Sequence, residues 1–327
     1  MKMPSPFLRQ TPRPVAKLWG GTNLGKRRQL MNPGNVTEPV VEPVAEAENP
    51  IGETWEISTH PEGESQCSGQ KLSQVLGGRL SYLVKMIDTA DHLSVQVHPN
   101  DEYALKHEGQ KGKTECWLIL SADVGAGIYL GVKSGVTQEK FRDAILKREN
   151  LSELMQFIPV KVGDFFFVPA GSFHAIGSGI MLVEVQQSSG VTYRVWDWNR
   201  VEKDGQLRAL HVDKAMDVGE FSSEKNVLKY FSYKQNLLAT TDFFGEQDLM
   251  LAAHADFNLH LLRLQCGSVV QVRTGARPLS VFVVVGKVCL GFGSDVRESL
   301  TSLMPVVCNL PIDQEISITA EENCVLL

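Results

Sequence analysis

No two cysteines in this chain stand in a Cys-x-x-Cys spacing. The six present, Cys67, Cys116, Cys266, Cys289, Cys308 and Cys324, are scattered, which excludes a zinc–thiolate knuckle and a dithiol redox motif. No window reaches the ~18 apolar residues that a membrane-spanning helix needs. Met1–Gln10 has two early prolines and no apolar core of the kind a secretory signal carries, so the expectation is a cytoplasmic chain with reduced, mostly buried thiols. Basic residues do not dominate either. With 32 Lys+Arg against 38 Asp+Glu the net charge is −6, which argues against a nucleic-acid partner while leaving room for a local basic pocket around a small anion.

What remains is an ordinary globular composition, 43% hydrophobic and 21% charged over 327 residues. That length can bury a sizeable core and form two domains. The first fifty residues hold eight prolines and an acidic stretch at Glu38–Glu48, and Asn32–Pro50 reads as a loop or flap. Strand-like runs follow at Thr54–Ser58, Tyr82–Ile87, Leu93–His98, Cys116–Leu120 and Gly127–Leu130, separated by Gly, Asn and Asp turns. Asn100 caps a short helix over Asn100–His107. Thr137 and Asn150 are N-cap candidates within a helical insertion at about 134–157, where Asn150–Glu153 has capping-box spacing. Strands resume at Val160–Val168, Gly179–Gln186 and Val191–Trp198. A second all-β stretch includes Leu259–Leu264, Val269–Val272, Ser280–Leu290 and Glu315–Thr319. Many short strands with one helical interlude predict a mainly β fold of the barrel or sandwich type. The expected domains are 1–215 and 216–327.

Three segments carry candidate chemistry. In Asp91–Asp101, strand alternation puts Ser94, Gln96 and His98 on one face and Val95 and Val97 on the other. Gln and His at i and i+2 suit a metal or a sugar, although a solvated amphipathic strand has the same pattern. In Gly112–Leu120, Glu115 opens an apolar run with Lys113 two residues before it. That pair is either a surface ion pair of ~0–1 kcal/mol or a carboxylate ligand with a cation beside it. The third segment, Gly163–His174, has the pattern G-x5-P-x-G-x2-H, which resembles the second signature motif of the cupin superfamily. Its Pro169-Ala-Gly171 bend would turn His174 back into a barrel. Gln96, His98, Glu115 and His174 together form an N/O donor set without thiolate, suited to a catalytic rather than structural zinc.

Lys17–Gly21, Gly52–Ser58, Leu93–Pro99, Gly112–Glu115, the motif ending at His174 and Val191–Arg200 together resemble type I mannose-6-phosphate isomerase in its short bacterial form, continuously from about residue 6 to 215. The resemblance implies two cupin-type jelly-roll barrels, the C-terminal one free of metal, with His254 and His260 structural or solvent-exposed. It implies one zinc per chain on Gln96, His98, Glu115 and His174. The implied activity interconverts mannose 6-phosphate and fructose 6-phosphate through a cis-enediol. The same resemblance assigns Lys85 and Ser94 to substrate binding and Arg194, Lys113 and Glu184 to catalysis, with Lys113 and Glu184 both open as the general base. Gly112 stands where longer members often carry His, and Gly190-Val191-Thr192 where they carry an Asp-Asn pair, so neither such group can be the base here.

Bland readings compete for several residues. Lys85 suits a solvated strand end, Arg194 a surface bridge to Asp197 or Asp204, and Trp196 and Trp198 one packed strand face. Two other functions compete with the isomerase: a non-catalytic sugar-phosphate-binding regulator, and an Fe(II) cupin oxygenase. The complete polar set argues against the first, and Gln96 with the flanking lysines against the second. The expected partner is a small sugar phosphate, with no nucleic acid and no membrane. The oligomeric state is left open between a monomer and a weak homodimer.

Overall fold

A computed structural model describes residues 5–26, 50–201, 205–239 and 246–327. Most of the Asn32–Pro50 segment, and Asp204, lie outside the described residues. The chain divides into two compact units, one of 14–54 and 84–237, the other of 1–13, 55–83 and 238–327. The division is therefore not the linear one expected at 215, because two early segments group with the C-terminal stretch.

Most of the first unit lies in two sheets. One runs in the order Met155–Pro159, Gly127–Val132, His174–Ile176, Val95–Val97, Tyr193–Trp196. The other runs Phe165–Val168, Glu115–Ala122, Ile180–Gln187, Tyr82–Thr89, Arg13–Gly21, Ile51–Ile57. The strands Tyr82–Thr89 and Ile180–Gln187 are buried at every position, which explains their near-continuous apolar runs. Trp117, Phe166, Ile119, Leu130 and Leu182 fill one core cluster, each such side chain contributing about 1.5–3 kcal/mol through burial. A second cluster holds Val95, Val97, Phe141, Phe173, Tyr193 and Trp196. Polar side chains at alternate positions on these strands are therefore enclosed rather than solvated.

The short helices sit where their caps predict, with one exception. Asn100 caps Asp101–Glu108 through Oδ1, which accepts from Tyr103 N at 2.9 Å. Thr137 caps Gln138–Leu146 in the same way. Asn150 caps only a single 3-10 turn, Leu151–Glu153, and Met155 then opens a strand. The helical insertion is thus shorter than the expected 134–157, because Phe157 and Ile158 pair with the strand Gly127–Val132 instead of continuing a helical face.

The run Val160–Val168 is also not one strand. A turn at Gly163-Asp164 separates Met155–Pro159 from Phe165–Val168, and Asp164 Oδ2 accepts from Lys161 N at 2.8 Å to close it. In the second unit the expected strand Ser280–Leu290 breaks at Gly286, giving Leu279–Val285 and Lys287–Phe292. This unit holds a six-stranded and a four-stranded sheet, around Phe7, Val283, Val288, Leu290, Leu300 and Ile316. His260 Nδ1 pairs with Asp248 Oδ1 at 2.7 Å in a partly exposed position. The mainly β expectation holds throughout.

Candidate active site

Residues directly opposite each other on paired strands project from the same face. His174 is opposite Gln96, and Gln96 is opposite Arg194. Ser94 and His98, two residues to either side of Gln96, share that face of the five-stranded sheet. In the other sheet Gln186 is opposite Glu115, and Glu184 is opposite Trp117. Residues 78 positions apart in the chain are thereby brought together, and Gln96 Nε2 lies 3.3 Å from His174 Nε2.

His98, Glu115 and His174 are all buried, and one ligand atom from each lies within 4.8 Å of the others. Two local devices aim the imidazoles. His98 Nδ1 donates to Val191 O at 2.8 Å, and His174 Nδ1 donates to Ser172 O at 2.9 Å. With each Nδ1 proton spent on a carbonyl, both Nε2 atoms present lone pairs to the centre, the arrangement expected of metal-ligating histidines. His98 Nε2 is 3.2 Å from Glu115 Oε1, and His174 Nε2 is 3.7 Å from Oε2. The bend before His174 depends on Gly171, whose φ is +88°. Its N–H donates to His98 O at 2.8 Å, tying the two histidine segments together.

Glu115 supplies the test of whether a cation fits. Both its oxygens are buried and neither meets hydrogen-bond geometry among the described residues, and although Lys113 pairs with Oε1, a carboxylate so enclosed calls for further positive charge. Burial works against its ionisation, but Lys113 and His98 outweigh it and hold the carboxyl well below the usual range. Burial, reinforced by Lys113, pushes His98 down to about 3, and burial lowers His174 against the pull of Glu115. An ionised carboxylate facing two neutral imidazoles is the protonation state a divalent ion requires. The Gln96 amide stands beside them.

Lys113 is no surface lysine. It and Glu115 are 6% and 1% exposed, its Nζ pairs with Glu115 Oε1, and it lies 3.2 Å from His98 Nε2. Gly112 explains how it gets there. A Cβ at Gly112 would stand 2.5 Å from Asn100 C and 2.6 Å from Asp101 N, so only glycine lets the chain pass this close to the helix start. Gly112 N donates to Asp101 Oδ1, and Lys113 N to Pro99 O.

Lys85 is likewise buried in mid-strand, against the solvated reading. Its Nζ donates to Gln186 Oε1 at 3.0 Å and lies 3.4 Å from Glu184 Oε2 and 3.9 Å from Glu53 Oε2. Burial disfavours its charge, yet Glu53, Glu184 and Glu115 together raise its pKa. Glu184 is held by Trp117 Nε1, which donates to Oε1 at 3.1 Å. Burial and Glu115 raise the Glu184 pKa against Lys85 and Lys113. Arg194 Nε donates to Ser94 Oγ at 3.3 Å, and Nη1 donates to Ala209 O. Asp197 pairs with Arg200 and Arg208. Trp198 lies outside the strand with positive φ and edge-on to His92, yet its ring packs on Trp196 with centroids 4.4 Å apart, so the two tryptophans pack together although they do not share one strand.

The geometry thus gathers Gln96, His98, Lys113, Glu115 and His174 in one cluster, Lys85 and Glu184 in a second, and Ser94 with Arg194 in a third. Residues not assigned a role from sequence also enter it. Glu53 pairs with Lys17 at 3.2 Å as well as with Lys85, and its signal was a carboxylate inside the otherwise buried strand Ile51–Ile57. Gln186 and Gln187 end an apolar strand, a place where two buried amides call for partners.

Comparison with known proteins adds the family. Residues 8–115 match the model of the phosphomannose isomerase type I catalytic domain. The mannose-6-phosphate isomerase of Streptococcus mutans is 40% identical over 240 residues, which cover 68% of this chain and 71% of that protein. The chain belongs to the mannose-6-phosphate isomerase family. The family model ends at Glu115, so it includes Lys85, Ser94, Gln96, His98 and Lys113, while His174, Glu184 and Arg194 lie beyond it. Among solved members, the mannose 6-phosphate isomerase of Bacillus subtilis superposes with a TM-score of 0.76 at 25% identity, covering 99% of this chain and 98% of that one. A zinc-bound mannose 6-phosphate isomerase shares the fold, with a TM-score of 0.69 at 12% identity, covering 98% of this chain and 99% of its own.

Proposed function

We propose that this chain is a zinc-dependent isomerase interconverting mannose 6-phosphate and fructose 6-phosphate in the cytoplasm. One zinc per chain would be held by Gln96, His98, Glu115 and His174. The observation that carries the reading is the buried His98–Glu115–His174 trio with Lys113 against it, in a chain 40% identical to a protein of that name. When bound, the ion supplies Lewis acidity toward the substrate oxygens.

The remaining steps belong to the protein. The isomerisation removes the C2 proton, forms a cis-enediol and returns a proton at C1, while the hydroxyl proton passes from O2 to O1. Lys85, in a buried setting, is the cation for the dianionic phosphate, and Ser94, which accepts from Arg194 Nε, would bind the same end of the substrate. Arg194 adds fixed positive charge where the enediolate develops. Lys113 and Glu184 are the two groups suited to carry the proton. The 238–327 stretch contributes none of these residues and is assigned a supporting role, without a metal.

The decisive assay measures fructose 6-phosphate formation from mannose 6-phosphate by the purified chain, with zinc content determined on the same sample. Absence of turnover with zinc fully loaded would refute the proposal. Washout of label from C2-deuterated substrate by Lys113→Met and Glu184→Gln then separates the two bases, since the variant that stops exchange has lost the proton carrier.

A further inference from the structure

Gln186 is completely buried and sits opposite Glu115 in the six-stranded sheet. Its amide is used at both ends. Nε2 donates to Gln187 O at 2.8 Å and to Ser189 O at 2.9 Å, and Oε1 accepts from Lys85 Nζ at 3.0 Å. An amide has two donors and an acceptor on opposite sides. Rotating it by 180° would aim its oxygen at two carbonyl oxygens and its N–H groups at an ammonium. The orientation is therefore locked, and Gln186 can only act as an acceptor toward Lys85.

Two further anchors of Lys85 are carboxylates, Glu184 and Glu53. A further carboxylate at position 186 would hold the ammonium equally well but would add negative charge beside a pocket meant for a dianion. A neutral acceptor fixes the cation without adding to the negative charge that these carboxylates already place beside it. We infer that Gln186 is a positioning residue that holds Lys85 for a phosphate group without neutralising it, and so sets the affinity for phosphorylated over plain sugars. This rests on the assignment of Lys85 to the phosphate end of the substrate.

The test uses the zinc-loaded full chain and inorganic phosphate as probe, by calorimetry, so that it stands independently of turnover. Gln186→Met keeps the length of the side chain and removes the acceptor. It should weaken phosphate binding by about ten- to hundredfold, as expected for a lost hydrogen bond to a charged group, and should raise KM for mannose 6-phosphate in parallel with a smaller change in kcat. Gln186→Glu, with the added charge, should weaken phosphate binding as well, although it retains an acceptor for Lys85.

In a Lys85→Met background the Gln186→Met change should have no further effect, because the residue acts through Lys85. Phosphate binding that is absent in the parent, unchanged in Gln186→Met, or lowered additively in the double variant overturns the inference. Phosphate binding that depends on Gln186 in a chain that does not turn over mannose 6-phosphate would sustain it while refuting the isomerase assignment.

Discussion

The ammonium of Lys113 lies 3.2 Å from the Nε2 atom of His98. A cation and a would-be metal ligand thus share one small volume, together with the Glu115 carboxylate, which pairs with Lys113 and faces His98 Nε2 at 3.2 Å. Lys113 supplies part of the positive charge that a divalent ion would otherwise supply alone.

Two effects of opposite sign follow for Lys113→Met. Removing a cation from beside the ligands should tighten zinc binding, by about tenfold or more. Turnover should nevertheless fall by roughly 10²-fold or more, the usual loss for a proton-carrying group. Competition with a zinc chelator gives the first quantity and steady-state kinetics the second. Weaker zinc binding in the variant would show that Lys113 supports the metal rather than competing with it.

Removal of the metal should cost stability as well as activity. Glu115 would keep its buried charge with only Lys113 and two imidazoles around it, and any ligand that binds only the folded state stabilises it by mass action. Dialysis against a chelator should abolish turnover and lower the melting temperature, and added zinc should restore both. Full activity in a sample shown to be metal-free would contradict the site.

Gly112→Ala tests the close passage beside the helix start. The new methyl meets backbone atoms of Asn100 and Asp101 at 2.5 and 2.6 Å, which cannot move as a side-chain tip can. Overpacking of this kind costs typically 1–3 kcal/mol. Because Lys113 is the next residue, kcat should fall more than the residual folded fraction explains. Denaturant titration and kinetics on the same preparation would separate the two losses.

Tyr82 gives a pH dependence of stability. Burial, against its hydrogen bond with Ser280, raises the phenol from 10.0 to about 12. The unfolded chain therefore loses this proton near pH 10 and the folded chain near pH 12. The stability involved is fully present below pH 10 and declines, by roughly 2–3 kcal/mol in total, as the pH climbs to about 12. Thermal unfolding between pH 9 and 11 should show a shallower decline in Tyr82→Phe than in the parent.

Much of the site was legible because its residues violate the pattern of their surroundings. Gln96 and His98 stand at alternate positions of a strand whose other face is Val95 and Val97, and both valines are fully buried. His174 was marked by its spacing from Gly163, Pro169 and Gly171. The burial of Lys85 was not legible, since a lysine between Val84 and Met86 fits a strand end equally well, and only the packing of Glu53, Glu184 and Gln186 around it decides. The ends of the helical insertion were misread for a similar reason. Leu151, Leu154 and Met155 fit a helical period locally, but the pairing of Phe157 with Tyr129 wins over it, and such long-range pairing leaves no mark in a short window.

The pairing that unites the site also dictates when it can exist. His174 meets Gln96 across 78 residues, and Gln186 meets Lys85 across 101, so no short stretch of the chain holds the ligand set by itself. During synthesis Gln96, His98 and Glu115 emerge well before His174, and the pocket around Lys85 must wait for the strand ending at Gln187. Long-range closures of this kind are slow. A chain in which the strand at His174 has not yet paired with the strand at Gln96 lacks the complete ligand set, so a site for an ion exists only after this closure.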